Sequence, residues 1–258
     1  MINKKNKIFT NNYLWLIIVF FIYLLLYTYK YQPSKDPFTL ITVLYNETDE
    51  SRIQEYLTCL KKNMHHSMIK KIHVLYDINA DNHSNEHPIH DFLVKNNITI
   101  SYIENRPTFN YCFALAQQYY PNSKIILSNA DIYFNETLAT LKNYDFKNKL
   151  IALTRWDDDG TGAIKPFIME GKPWIPSQDT WIYETPIKHF WHDKIRIGVF
   201  NCEPWIMYHA LKNGVDVINP CKTIQCCHLH TSNKRNYTEK DKYPYPPGFI
   251  PISWSELT

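Results

Sequence analysis

Glycine is scarce in this chain: there are six in 258 residues, and the first is Gly160. Average usage is about 7%, so residues 1–159 form an unusually long stretch without one. The G-x-G-x-x-G dinucleotide loop and the Walker A loop both need glycine to bring backbone close to phosphate, so neither exists in that stretch. A phosphate-bearing ligand must be neutralised here by other means. The six cysteines include no C-x-x-C pair, which argues against structural zinc, and their irregular spacing leaves one or two disulfides open without indicating a pairing. Eleven histidines include no H-E-x-x-H, which weakens a zinc hydrolase. A charge surplus is missing too. Lys4, Lys5, Lys7 and Lys30 stand without an acid in the first thirty residues, leaving 24 basic against 25 acidic side chains in residues 31–258. So neutral a body lacks the basic excess of a nucleic-acid binder.

What is present begins with an apolar run. From Ile8 to Tyr29 there is no charge, and residues 13–26 are almost wholly apolar. About 20 such residues span a bilayer. Lysines before the run favour a cytosolic N-terminus, Trp15, Tyr27 and Tyr29 sit where interfacial aromatics do, and no small-x-small cleavage site follows. The expectation is an uncleaved type II anchor: a cytosolic tail over 1–12, a transmembrane helix over 13–29, a linker over 30–37 and a lumenal or extracellular body. Five N-x-S/T sequons, at Asn46, Asn82, Asn97, Asn135 and Asn236, agree with that side of the membrane.

The body alternates strand and helix. Phe38–Leu44, Lys71–Tyr76, Ile98–Ile103, Ile125–Leu127 and Leu150–Thr154 read as strands. Between them, Ile53, Tyr56, Leu57, Leu60 and Met64 recur with helical period, a short helix falls around Ile89–Val94, and Thr108 is placed to cap a helix reaching Tyr120. This rhythm predicts an α/β fold with a mostly parallel, doubly wound sheet, whose ligands bind at the carboxyl ends of the strands. Asn46, Asp77, Arg106, Asn129 and Asp131 all fall there. Beyond 155 the rhythm breaks: Arg155–Gly162 reads as a loop, 174–185 as irregular and aromatic, Glu203–Gly214 as a helix with Pro204 inside its start and Gly214 past its end. Val215–Ile218 and Thr223–Cys227 read as late strands, and 238–258 as an extended Pro/Tyr-rich tail.

A first strand followed by Tyr45-Asn46-Glu47, an apolar strand running into Asn129-Ala130-Asp131, a Cys202-Glu203-Pro204 helix start and a late His228-Leu229-His230 together resemble the GT-A-type, family 2-like nucleotide-sugar glycosyltransferases. The resemblance covers about 38–237. It implies a Rossmann-like GT-A domain that transfers a sugar from a nucleoside-diphosphate donor to a glycan, lipid or protein acceptor with a divalent metal as Lewis acid. Where the family carries Asp-x-Asp, this chain has Asn129 at the first position, leaving Asp131 as the carboxylate. The resemblance implies that Asp131 holds the ion, that Asn129 orients the donor, that Asn46 and Asp77 hold the nucleoside, and that Arg106 contacts diphosphate. A late histidine completing the metal site makes His228 and His230 candidates, and imidazole favours Mn²⁺ over Mg²⁺.

The acceptor hydroxyl needs a base. Glu203 stands where the family places an acid, and reads equally as a helix-start residue favoured by the dipole. Asp179 is its competitor, or a structural loop residue. Asp157-Asp158-Asp159 reads as a solvated mobile loop, and Trp156, Trp174, Trp181 and Trp205 as core before sugar platforms. The rival from another class is a membrane-anchored sugar-binding or scaffold protein of the same fold without activity.

Overall fold

The computed structural model describes residues 14–24, 37–79, 87–168, 177–188, 194–232, 242–249 and 251–258. Residues 14–24 are helical with their side chains exposed. The rest of the apolar run lies outside the described residues, and among the described residues no helix is long and apolar enough to cross a membrane. Asn82, Trp174 and Asn236 also lie outside them.

Strands β1 (Phe38–Tyr45), β2 (Ile69–Asp77), β3 (Thr99–Ile103) and β4 (Lys124–Ser128) form one parallel half of a mixed sheet, in the order β3-β2-β1-β4. Helices α1 (Glu50–Met64), α2 (Pro88–Lys95) and α3 (Phe109–Tyr119) are the crossovers. Each start has a local cause. Asp49 Oδ1 accepts from Arg52 N at 3.1 Å, Thr108 Oγ1 accepts from Tyr111 N at 3.2 Å, and Pro88 opens α2 behind its His87 cap.

Both sheet faces are covered, which is why these strands read as apolar runs. Alternation sends Leu40, Leu44 and Ile126 to the face packed by Ile53, Leu57 and Leu60 of α1. Ile41, Ile125 and Leu127 go to the opposite face, under Phe109 and Phe113 of α3 and Ile206 of α4 (Cys202–Lys212). Helix α4 ends where Gly214, at φ +75°, donates its N–H to Leu211 O at 2.9 Å, a left-handed position that favours glycine.

The second half of the sheet departs from the sequence reading. Past β5 (Ile132–Phe134) and a 3₁₀ turn (Glu136–Leu141), the β6 strand (Lys149–Asp158) continues through the Asp-rich segment expected to be a mobile loop. It continues because Arg155–Asp158 pair in parallel with Cys226–Leu229 and in antiparallel with β7 (Ile164–Pro166). The region read as irregular contains β8 (Gln178–Glu184), whose Trp181, Ile182 and Tyr183 are fully buried. A strand buried on both faces shows no alternation to read. Strand β8 runs antiparallel between β4 and β6, so the full order is β3-β2-β1-β4-β8-β6-β10-β5, with β9 (Asp216–Ile218) beside β6. The sheet is therefore mixed: the first four strands are parallel, as are β6 with β9 and β6 with the last strand, while β8, β7 and β5 bring in antiparallel pairs. The last strand, β10 (Cys226–Leu229), begins three residues later than expected and includes His228.

Candidate active site

The carboxyl ends of β1, β2 and β4 open into a cavity of about 1250 Å³. Its opposite wall is made by the start of α4 and by residues 242–251. Asn46, Asp77, Arg106, Asn129, Asp131, Asp179, Glu203 and His228 all line it, so most of the residues chosen from the sequence meet in one place. His230 does not line it; its ring stacks on that of His228 at a centroid distance of 5.3 Å.

At the floor the charged side chains form one connected chain. Asp131 Oδ2 accepts from Arg52 Nη2 at 3.1 Å and lies 3.3 Å from His228 Nε2. The other ring nitrogen of His228 is 3.4 Å from Asp157 Oδ1, which accepts from Arg155 Nε at 3.0 Å. Arg155 Nη1 reaches Asp179 Oδ2 at 3.4 Å, and Asp179 Oδ1 accepts from Asn129 Nδ2 at 2.7 Å. Behind Arg52, Glu55 and Tyr56 fix the guanidinium at 2.6 and 2.8 Å. Burial by itself pushes the His228 imidazole down, but the charges of Asp131 and then Asp157 outweigh it and hold its pKa at about 9. Burial likewise opposes ionisation of Asp131, yet His228 and Arg52 keep its carboxyl well below the usual range. This network fixes the direction of every carboxylate before any ligand arrives.

Among the described residues, no group of three or more His, Cys, Asp or Glu side chains is arranged to hold a metal ion. The donor chemistry at Asp131 nevertheless fits one. Adjacent ligands of a six-coordinate ion with bonds of roughly 2.1 Å lie about 3 Å apart, close to the 3.3 Å between Asp131 Oδ2 and His228 Nε2. Asp157, on the far ring nitrogen, stands where it would orient the imidazole if Asp131 and His228 held an ion.

Glu203 occupies the other side. It sits in the first turn of α4 after Asn201, whose φ of 64° turns the chain into the helix without a side-chain cap. Burial, and then the charge of Asp179, push its carboxyl up to about 8. Asp179 is also raised, first by burial, but Asn129 and Arg155 hold both its oxygens. No cation lies within salt-bridge distance of Glu203 among the described residues, so of the two acids Glu203 is the one placed to take a proton. The remaining candidates are tethered locally: Asn46 accepts from the Tyr76 hydroxyl, Asp77 Oδ1 from Asn79 N at 3.1 Å, and Arg106 Nη1 donates to Gly198 O at 2.9 Å.

Sequence reasoning missed Arg52, Arg155 and Asp157. The first sits in a helix read only for its apolar stripe, the other two in a segment read as loop. A signal existed: the chain has 23 lysines and five arginines, and three of those arginines, Arg52, Arg106 and Arg155, line this cavity. Where lysine is the default cation, arginine marks positions that need a forked, planar donor. Of the tryptophans, Trp181 follows the core reading, fully buried against Phe109, while Trp156, which donates to Cys221 O at 2.9 Å, and Trp205 are only partly buried.

No protein-family model and no curated protein matches the sequence. Solved structures do. The chain is similar to GalNAc-T7, crystallised with UDP, GalNAc and Mn²⁺, at 12% identity and a TM-score of 0.50, covering 83% of this chain and 46% of that one. It is also similar to S. aureus TarS (17% identity, TM-score 0.47, 75% and 37% covered) and to the mannosyltransferase PcManGT from Pyrobaculum calidifontis in complex with GDP-Man and Mn²⁺ (14%, 0.45, 80% and 61%). The chain thus spans less than two thirds of each of these structures. The likeness to GalNAc-T7 establishes a shared fold, the mixed α/β sheet.

Proposed function

We propose that this protein is a glycosyltransferase that moves a sugar from a nucleoside-diphosphate donor to an acceptor hydroxyl. The observation that carries the reading is one cavity holding the Asp131–His228 pair at its floor and Glu203, with its raised pKa, on the facing wall. In this reading Asn46 and Asp77 hold the nucleoside and Arg106 contacts the diphosphate; that all three line the cavity supports it. Asp131 and His228 would hold a divalent ion, which supplies Lewis-acid stabilisation of the departing diphosphate when bound. That GalNAc-T7 was crystallised with Mn²⁺ supports a metal here, and an imidazole ligand favours Mn²⁺ over Mg²⁺.

In the step itself, the acceptor oxygen forms a bond to the anomeric carbon as the bond from that carbon to the diphosphate oxygen breaks. The electron pair leaves on the diphosphate and the hydroxyl proton passes to Glu203. With its pKa raised to about 8, the ionised Glu203 carboxylate is a stronger base than an ordinary one, and the fraction in that form grows as pH rises toward and through 8, so transfer is expected to increase over that range. Asp179, locked by Asn129 and Arg155, keeps Glu203 basic through its charge. The apolar run at 8–29 completes the proposal as a single-pass type II anchor with the catalytic body lumenal, in the Golgi or ER, or facing outside the cell.

The test is a panel of nucleotide sugars, with Mn²⁺ and with EDTA, read for binding and for transfer or donor hydrolysis. Metal-dependent turnover of one donor is expected. Binding without turnover of any donor would favour the sugar-binding protein, and no binding of any donor would sink the proposal.

A further inference from the structure

The tail beyond residue 241 is part of the cavity wall. Tyr243 N donates to Phe200 O at 3.1 Å, its carbonyl accepts from Asn201 Nδ2 at 2.9 Å, and its hydroxyl donates to Lys194 O at 3.0 Å while accepting from Arg196 N at 3.2 Å. Trp205 Nε1 donates to Pro244 O at 2.7 Å. These bonds pin the tail to both sides of the α4 start, the element that carries Glu203. Just after the pins, Tyr245 lines the cavity with 54% of its surface exposed. Phe249 packs on the core and lies near-parallel to the Tyr245 ring, with centroids 6.4 Å apart and planes at 23°. A large aromatic is thus carried by a tethered backbone into the same cavity as Glu203.

We propose that Tyr245 is the platform of an acceptor subsite for carbohydrate, stacking on the apolar C–H face of a pyranose ring and aiming one of its hydroxyls at Glu203. The inference deepens the transferase reading and rests on it for the word acceptor. Sugar chemistry fits the mixed lining of this part of the cavity: Phe200, Pro246 and Phe249 offer apolar faces, while Lys242, whose Nζ lies 5.0 Å over the Phe200 ring, and Glu203 offer charged groups to ring hydroxyls, and an alkyl chain would leave both charges without a polar partner. Tyr245 also lies close enough to Glu203 that the carboxylate charge adds to burial in raising the phenol pKa.

Saturation-transfer NMR with methyl pyranosides of common hexoses, N-acetylhexosamines and deoxyhexoses tests this on the full chain. UDP and GDP titrations run alongside with Mn²⁺. At least one glycoside is expected to bind the wild type, to bind Tyr245→Phe equally, and to bind Tyr245→Ala about tenfold more weakly, with nucleotide affinity the same in all three. Because the side chain is half exposed, its truncation leaves the core intact, which circular dichroism checks. The proposal is overturned if no glycoside binds, if Tyr245→Ala binds glycoside as the wild type does, or if it loses nucleotide to the same extent as glycoside. Tyr245-dependent glycoside binding with no binding of either nucleotide would instead keep the carbohydrate subsite and refute the transferase.

Discussion

Glu203→Gln separates a catalytic proton acceptor from a helix-start residue, because the structure assigns the wild-type carboxylate a cost. In the unfolded chain the group ionises near 4.5; in the folded protein burial and Asp179 hold it protonated until about 8. Below pH 4.5 both states are protonated and the group contributes nothing. As pH rises from 4.5 to 8 the unfolded chain alone releases the proton, so the folded state loses stability steadily, and above 8 the loss is complete. At about 1.4 kcal/mol per pH unit the full penalty is about 5 kcal/mol, and water in the cavity screens it to about 2–5 kcal/mol. Glutamine keeps the shape without the charge. Denaturant unfolding of the purified protein is therefore expected to show Glu203→Gln equal to wild type at pH 4.5 and more stable by about 2–5 kcal/mol at pH 8.5. Turnover is expected to fall by about 10²–10⁴ with donor affinity kept, since only a transition-state interaction is lost. A stability gain of the same size at both pH values would refute the placement of the carboxyl. Loss of turnover in Asp179→Asn but not in Glu203→Gln would exchange the two roles.

Asp131→Ala is expected to abolish transfer and metal-dependent donor binding in calorimetry while the far-UV spectrum stays native, and wild-type transfer by this variant would remove the metal from that place. His228→Ala is expected to lose Mn²⁺-stimulated activity and His230→Ala to keep most of it, because His228 lines the cavity with its Nε2 3.3 Å from Asp131 and His230 does not line it; equal loss in both would make His230 a ligand as well. Arg155→Lys is expected to lower turnover by about tenfold without unfolding the protein, as a lysine cannot bridge Asp157 and Asp179 together; unchanged kinetics would show that the bridge is dispensable. For topology, protease protection and glycosidase sensitivity are expected to place Asn82 or Asn236 on the lumenal side, and a cytosolic C-terminus would overturn the type II reading.

The first four strands and their helices were legible because each signals locally: an apolar run ending at a polar residue, a Thr108 cap, a period of 3.6 in α1. The same locality exposed the strand-end residues, and the structure brings Asn46, Asp77, Arg106, Asn129 and Asp131 to one cavity. What the sequence hid depends on distant partners. Residues 155–158 become strand through Cys226–Leu229, seventy positions away, and through the short β7, and β8 takes its direction from neighbours on both sides. Arg52 carries no signal of its own in the α1 period, because its partner Asp131 is 79 residues on. The tail reads as extended and no more for a related reason: its bonds are to residues 194–205 and 219–223, and nothing in its own composition points there.

The position of β8 also governs how the chain assembles. Once residue 128 is synthesised, β3, β2, β1 and β4 can pair among themselves, but the outer edge of β4 stays open until residues 178–184 follow about fifty residues later. That edge is Lys124-Ile-Ile-Leu-Ser128, a short β-rich stretch of the kind that recruits other chains. Lys124 stands at its head. In the growing polypeptide its charge acts as a gatekeeper against association; in the finished fold the same ammonium is withdrawn from water, donating to Lys142 O at 2.7 Å over the rings of Phe38 and Phe146. One residue thus stands at the open edge during synthesis and ends buried among Phe38, Lys142 and Phe146 in the finished fold.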